Sequence, residues 1–344
     1  VYADCRVDDA RLVALNAVGA AERGATIATR TRFLAARRDG GLWHATLADA
    51  AGERIVAARA LVNAAGPWVG AVLGAIPAAA PERPPRLVKG SHIIVPRLFE
   101  GGHAYILQNP DGRIAFAIPY QGRFTLVGTT DVPWHGDPAS PAIDPAETAY
   151  LCDAINRYFA RRIGPEDVVH SFAGIRPLYD DGSDSASRVT RDYVLRLGMA
   201  EAPQLLSVFG GKITNYRRLA EHALDKLAPF LPPMAPAWTA TAPIPGGDIP
   251  DFTGFVAEVR RRWPALDDAT ATRLAHAYGT RIAHVIGGEP LGGGLTTREV
   301  DYLVTREWAR TAEDILWRRT KLGLHLAPDA VARLTAYLEG KRHG

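Results

Sequence analysis

The chain has 344 residues, 47% of them hydrophobic and 22% charged, which is the composition of an ordinary globular protein long enough for two domains. A net charge of +3 is too small to point to nucleic acid, and no apolar run approaches the roughly 20 residues that span a bilayer. The only cysteines, Cys5 and Cys152, supply no metal cluster and are expected as two buried thiols of a reducing compartment, with a single disulfide as the alternative. The opening residues have neither a charged n-region nor an apolar h-region, so no secretory signal is expected there. Lacking an initiator methionine, the chain reads as a fragment or processed product.

Asp8 and Asp9 predict a helix start, with helical spacing through Asn16 and an end at Gly24. Residues 25–38 and 42–48 read as strands about a Gly40-Gly41 turn. Residues 54–62 read as a buried strand that runs through Asn63-Ala64-Ala65 into a Gly66-Pro67 turn, with a helix from Trp68. That order is an α/β unit. A proline-rich linker at 77–85 follows. Short strands at 92–95, 104–107, 114–118 and 124–127 then read as an antiparallel meander, able to cover a ligand with one face. A helix is expected at 145–162, and a strand at 168–173 that ends in Gly174-Ile175-Arg176-Pro177. A strand pair is expected at 193–197 and 205–209, then a helix at 213–227. After a second proline-rich stretch at 229–250, helical spacing continues to the end and marks a small helical domain.

The segment from Ser207 to Thr214 carries the strongest chemical signal. An apolar strand meets Gly210-Gly211 and then a helix start, where unpaired N–H groups and the helix dipole favour an anionic or electron-rich group. Lys212 adds a full charge. Leu206 stands where a nucleotide P-loop needs glycine, so that motif is excluded. Arg176, beside a rigid proline, is suited to hold a carboxylate or phosphate bidentately, or is a surface arginine in a turn. Thr129-Thr130-Asp131 lines a pocket or forms an Asx-type turn. His92 is a proton acceptor near neutral pH or a structural strand histidine. Arg191 contacts an anion or pairs with a neighbouring aspartate. Arg318, Arg319 and Lys321 lie on a helix with Trp317 that faces solvent, a partner or a membrane.

These segments together resemble the FAD-dependent, respiratory glycerol-3-phosphate dehydrogenases, within the D-amino-acid-oxidase-like flavoproteins. The resemblance rests on Val-Asp-Asp-Ala-Arg at 7–11, Leu-Val-Asn-Ala-Ala-Gly-Pro-Trp at 61–68, Lys-Gly-Ser-His-Ile at 89–93 and Tyr-Ile-Leu-Gln-Asn at 105–109. It continues in Val-Gly-Thr-Thr-Asp at 127–131, Gly-Ile-Arg-Pro-Leu at 174–178, Thr-Arg-Asp-Tyr at 190–193, Ser-Val-Phe-Gly-Gly-Lys-Ile-Thr at 207–214 and Leu-Trp-Arg-Arg-Thr-Lys at 316–321. It runs from residue 1 to about 340. The family's G-x-G-x-x-G strand, which binds the FAD pyrophosphate, is absent from this sequence, so FAD binding by the chain alone is left open, as is a cofactor-free, inactive module.

The resemblance implies an α/β (α+β) fold: a partial Rossmann-like FAD-binding domain at 1–76 and 201–232, an antiparallel substrate domain at 77–200 and an all-helical domain at 233–344. It implies oxidation of sn-glycerol 3-phosphate to dihydroxyacetone phosphate by hydride transfer to FAD, with electrons passed to a quinone. Ala65, Gly66, Gly210, Gly211, Lys212, Ile213 and Thr214 would hold the cofactor. Arg176, Arg191 and Lys212 would hold substrate, and His92, Arg176 and Thr129 would be catalytic. The implied setting is the inner face of the cytoplasmic membrane, peripherally attached, and a homodimer is admitted. The alternatives are an oxygen-using glycerol-3-phosphate oxidase and a related amine oxidase. No insertion of the oxidase kind stands between Asp131 and Arg176.

Overall fold

The computed structural model describes residues 3, 7–77, 79, 84–180, 192–198 and 203–342. Cys5 and Arg191 lie outside the described residues. The chain divides into two units, one of Val1–Thr29 with Ala237–Gly344 and the other Arg30–Pro236. In chain order the elements are α1 (Asp9–Ala21), β1 (Arg32–Asp39), β2 (Leu42–Asp49), β3 (Gly52–Ala58), β4 (Ala60–Asn63), α2 (Val69–Gly74), β5 (Arg86–Pro96), β6 (Tyr105–Gln108), β7 (Ile114–Tyr120), β8 (Phe124–Gly128) and β9 (Val132–Pro133). There follow α3 (Pro145–Asn156), β10 (His170–Leu178), β11 (Tyr193–Leu197), β12 (Gln204–Gly210), α4 (Tyr216–Leu227), α5 (Phe252–Arg262), α6 (Asp268–Tyr278), β13 (Pro290–Gly292), β14 (Leu295–Thr296), α7 (Thr297–Arg306) and α8 (Pro328–Arg342).

Among the described residues the unit Arg30–Pro236 holds three sheets. β1, β2 and β3 form an antiparallel meander. Its Trp43 is fully buried with Ala36, Ala45, Ile76 and Leu205 and donates its indole N–H to the carbonyl of Gln204 at 2.8 Å. In the second sheet β12 lies between antiparallel β11 and parallel β4. The third sheet is six-stranded, in the order β10-β5-β8-β7-β6, with β9 beside β5. Alternation along its strands divides side chains between two faces. Ile93, Val95, Leu107, Ala117 and Val127 pack against Leu151, Cys152 and Ile155 of α3. The opposite face carries a row of register partners, Phe172, His92, Gly128 and Phe116. Phe172 is 42% exposed, Phe116 37% and Ile106 47%, so this second face is open and apolar.

Four expectations are corrected. The strands at 92–127 are not a meander in chain order, because β5 pairs β8 and β10 rather than β6. The strand expected at 54–62 divides into β3 and β4, and β4 is an edge with Val62 46% exposed rather than buried. The helix expected to reach 162 stops at Asn156. There the Asn156 amide both donates to Ile163 O and accepts from Ile163 N at 2.9 Å, which folds the chain back. Arg176 lies within β10 rather than in a turn beyond a strand.

In the other unit α1 packs in one body with the C-terminal helices. Asp8 caps α1 by accepting the Arg11 N–H at 3.2 Å. The core gathers Leu274, Tyr278, Val300, Leu303, Ile315 and Leu334. Its buried charges are paired. Arg11 bonds Glu307 and donates to the Ala277 carbonyl at 2.7 Å. Arg273 grips both oxygens of Glu299 at 2.6 and 2.8 Å, and Tyr278 donates to the same carboxylate at 2.8 Å. Burial first, and then the Glu299 charge, push the Tyr278 hydroxyl well above the usual tyrosine range. Arg319 and Lys321 do not face solvent: Arg319 donates to Glu307 O at 2.6 Å and Lys321 to Trp317 O at 3.0 Å, each under a fifth exposed. Glu299→Ala leaves the buried Arg273 charge without its carboxylate. It is expected to destabilise the protein by about 3–5 kcal/mol, read as a fall in Tm of roughly 10 °C.

Candidate active site

Two groups of side chains in the Arg30–Pro236 unit build the site. The first is a crevice at the carboxyl ends of parallel strands. β12 and β4 run parallel, with Ser207 opposite Asn63, so the turns that leave them emerge side by side. In open α/β sheets ligands bind outside such carboxyl ends. Asn63 is buried and shapes its turn: its amide donates to Val69 O at 2.9 Å and accepts from Ala65 N at 3.3 Å. Gly66 follows at φ +56, with nothing within 4 Å of where a Cβ would stand. On the other strand, Gly210 and Gly211 have φ of +68 and +90. A Cβ on Gly210 would also stand 2.9 Å from Asp192 O, so glycine there serves chain packing as well as the turn. A 3₁₀ turn at Ile213–Asn215 leads into α4, and Lys212, Ile213 and Thr214 are all exposed.

The second group stands on the open face of the six-stranded sheet. The His92 ring stacks on Phe172 at 4.9 Å between centroids, 10° from parallel, and lies directly over Gly128. Two rungs along, the Arg176 guanidinium and the Thr129 hydroxyl lie over Gly90. Arg176 donates from Nη1 to Thr130 O at 3.3 Å and to Asp131 Oδ1 at 2.5 Å, and from Nη2 to Thr129 Oγ1 at 3.0 Å. Its Nε–H and second Nη2–H point to no partner among the described residues, and the side chain is 38% exposed. β10 then carries the chain past β12 and the 66–68 turn, with Pro177 O 4.0 Å from a Cβ placed on Gly210. The two groups are therefore neighbours.

Beneath the sheet, on the α3 side, lies a buried carboxylate. Glu147 accepts from Lys89 Nζ at 2.8 Å, from Ser91 Oγ at 2.9 Å, from Thr130 Oγ1 at 2.7 Å and from Asp144 N at 3.0 Å. Burial raises its pKa, but the bonds from Lys89, Thr130, Asp144 N–H and Ser91 outweigh burial and hold the carboxyl below its ordinary value of 4.5. A lowered folded-state pKa means stabilisation that is present above 4.5 and lost as the pH falls through the folded value. The stability difference between the parent and Glu147→Gln, measured by denaturant unfolding, is expected to be full at pH 7 and to shrink below 4.5.

Of the residues expected from sequence, His92, Thr129 and Arg176 share the open face, and Ala65, Gly66 and Gly210 to Thr214 share the crevice. Arg191 lies outside the described residues. Sequence reasoning missed Glu147, Asn63 and the two glycines under His92 and Arg176. The signal for Glu147 was present: Asp144-Pro-Ala-Glu147 spells a capping box, and its reciprocal bonds are formed at 2.8 and 3.0 Å.

The turns at the ends of β4 and β12 and the open face of the six-stranded sheet thus stand side by side as one two-part candidate site. Residues 1–217 match the model of the FAD dependent oxidoreductase family, and residues 237–339 match the C-terminal domain of alpha-glycerophosphate oxidase. The chain is 52% identical to a glycerol-3-phosphate dehydrogenase of Pseudomonas aeruginosa, over 99% of this chain and 69% of that protein. It is 48% identical to a D-erythritol 1-phosphate dehydrogenase of Brucella abortus, over 94% and 67%. The crystal structure of a glycerol-3-phosphate dehydrogenase from Bacillus halodurans complexed with FAD superposes with a TM-score of 0.82 at 28% identity, covering 98% of this chain and 73% of that one. The chain belongs to the FAD-dependent oxidoreductases, in their glycerol-3-phosphate dehydrogenase group. Its cofactor is FAD. The crevice fits that group: open space beside Gly66, two positive-φ glycines and exposed apolar Ile213 and Trp68 admit a dinucleotide and a flat ring. Among the described residues no helix is long and apolar enough to cross a membrane.

Proposed function

We propose that the protein oxidises sn-glycerol 3-phosphate to dihydroxyacetone phosphate and that the electrons pass to a membrane quinone. FAD, when bound, supplies the acceptor for the hydride leaving C2 of the substrate. The chain's own residues bind, orient and handle the proton. Arg176 offers two N–H groups to the phosphate, while Thr129, Thr130 and Asp131 hold the remainder of the guanidinium. Lys212 adds a second cation from the neighbouring turn, and Arg191 a third. His92, set by Phe172 and Gly128, accepts the C2 hydroxyl proton. Ala65, Gly66, Gly210, Gly211, Ile213 and Thr214 line the cofactor side, where backbone N–H groups favour negative charge at the ring edge. The supporting observation is the placement of Arg176 and His92 on one open face next to the Gly210 turn.

D-erythritol 1-phosphate is a second reading, favoured by the 48% identity to the Brucella abortus enzyme. Both substrates are polyol phosphates and need the same cationic grip. The acceptor reading places the protein at the inner face of the cytoplasmic membrane, peripherally attached, and Arg260-Arg261-Arg262-Trp263 at the end of α5 is a basic, aromatic contact for it. Turnover of glycerol 3-phosphate with a soluble quinone analogue, without stoichiometric hydrogen peroxide, is the expected result. Peroxide formation matching substrate consumption in the absence of quinone would replace the dehydrogenase reading by the oxidase one.

A further inference from the structure

We propose that Glu147, on the covered side of the sheet, is a positioning residue for Arg176 on the open side, acting through Thr130. This rests on the reading of Arg176 as the clamp for the substrate's phosphate. Thr130 is 1% exposed and its hydroxyl is used in both directions: it donates to Glu147 Oε1 at 2.7 Å and accepts the Ser91 N–H at 2.9 Å. Its backbone carbonyl accepts from Arg176 Nη1 at 3.3 Å and from the Thr129 hydroxyl at 3.2 Å, and that hydroxyl is the partner of Arg176 Nη2. One buried side chain thus fixes both groups that orient the guanidinium.

The remaining partner of Arg176 is Asp131, whose side chain is 53% exposed. An ion pair so open to water contributes little and a bound phosphate would compete with it. The orientation is therefore set from below. Ser91 Oγ and Lys89 Nζ complete the anchor: Lys89 is 5% exposed on its side chain, donates to Ala142 O at 2.9 Å and sits over the Trp134 ring at 5.1 Å. With its cation, its hydroxyls and its own helix cap all engaged, Glu147 has no freedom to shift. An inward-facing carboxylate in such a network holds a loop of three residues to one conformation, and the geometry of an anion clamp is sensitive to shifts of about 1 Å.

The test is Thr130→Val in the FAD-loaded protein, which keeps the side chain's shape and removes its hydroxyl, with Thr130→Ser as the conservative rescue. The expected result is a KM for glycerol 3-phosphate raised about tenfold, kcat within about threefold of the parent, and flavin absorbance per protein retained. Thr130→Ser is expected to return KM to within about threefold of the parent. A purely structural role would lower flavin content or Tm without moving KM in the loaded fraction, and that outcome overturns the proposal. Should Thr130→Val not load FAD, Glu147→Gln is read instead, and an unchanged KM there overturns it equally. Arg176→Ala run in parallel separates the two readings. A loss in Arg176→Ala with none in Thr130→Val defeats the positioning role alone, whereas no loss in Arg176→Ala defeats the clamp and the positioning role together.

Discussion

Arg176→Ala is expected to lower kcat/KM for sn-glycerol 3-phosphate about a hundredfold, with FAD still bound. Removing the guanidinium withdraws two charge-assisted hydrogen bonds from a phosphate, each worth about 1.5–3 kcal/mol, and every 1.4 kcal/mol is roughly tenfold. Part of that loss is returned by Lys212, exposed on the neighbouring turn, which keeps the effect at the lower end of that range. Folding should change little, because the Arg176–Asp131 pair is exposed on both sides. Arg176→Lys recovers only a fraction, since a point charge cannot reproduce the planar fork held by Thr129 and Thr130. Steady-state kinetics on the FAD-loaded variant checks both statements, and a kcat/KM equal to that of the parent would remove Arg176 from the site.

The second large effect is expected at Gly128. A Cβ there would stand 2.1 Å from His92 Cδ2 and 2.6 Å from Nε2. Backbone in the middle of a sheet cannot yield, since Gly128 is paired to both His92 and Phe116, so the ring must leave. Gly128→Ala therefore ejects His92 from its stack on Phe172 without altering the histidine itself. If His92 takes the hydroxyl proton, kcat falls on the order of 10²–10⁴-fold, the usual contribution of a general base. His92→Ala should fall by a similar factor, and the double variant by no more than either alone, because both changes remove one interaction. Stopped-flow reduction of the bound flavin gives the rate directly. A Gly128→Ala variant that reduces as fast as the parent would exclude His92 as the proton acceptor.

Much of this site was legible in the sequence because it is built from short, local signals. Gly210-Gly211-Lys212 after an apolar run announces a strand-to-helix turn, and β12 does end at Gly210 with a 3₁₀ turn and α4 behind it. Asn63 to Trp68 announces a turn after a strand, and Asn63 holds that turn with two bonds. What stayed hidden is non-local. That β4 and β12 are parallel neighbours, so that their turns share one edge, is a pairing across some 140 residues that periodicity does not encode. The insertion of β5 between β8 and β10 likewise decides which residues meet. It sets His92 opposite Phe172 and Gly128, and puts Gly90 beneath Arg176. Nothing in the sequence marks Gly90 or Gly128, yet each leaves the space of one Cβ that the Arg176 and Thr129 side chains or the His92 ring occupies. The capping box marks Glu147 as a helix-start residue but not its partners, because Lys89 and Ser91 come from one distant strand, β5, and Thr130 from the loop after β8.

Alternation also explains why the open face could be anticipated but not its contents. Ile93 and Val95 fix the buried side of β5, which sends His92 to the other side by the two-residue period alone. Arg176 reaches that same face only through the β10–β5 register, with Arg176 opposite Val88.

Anaerobic addition of sn-glycerol 3-phosphate to the FAD-loaded protein tests the central reading most directly. The oxidised flavin band at about 450 nm is expected to bleach within the turnover time, with one dihydroxyacetone phosphate formed per flavin, and not to bleach with unphosphorylated glycerol. A band that persists with glycerol 3-phosphate but bleaches with D-erythritol 1-phosphate would move the protein to the longer polyol phosphate, and a band that persists with both would exclude polyol-phosphate oxidation by this protein.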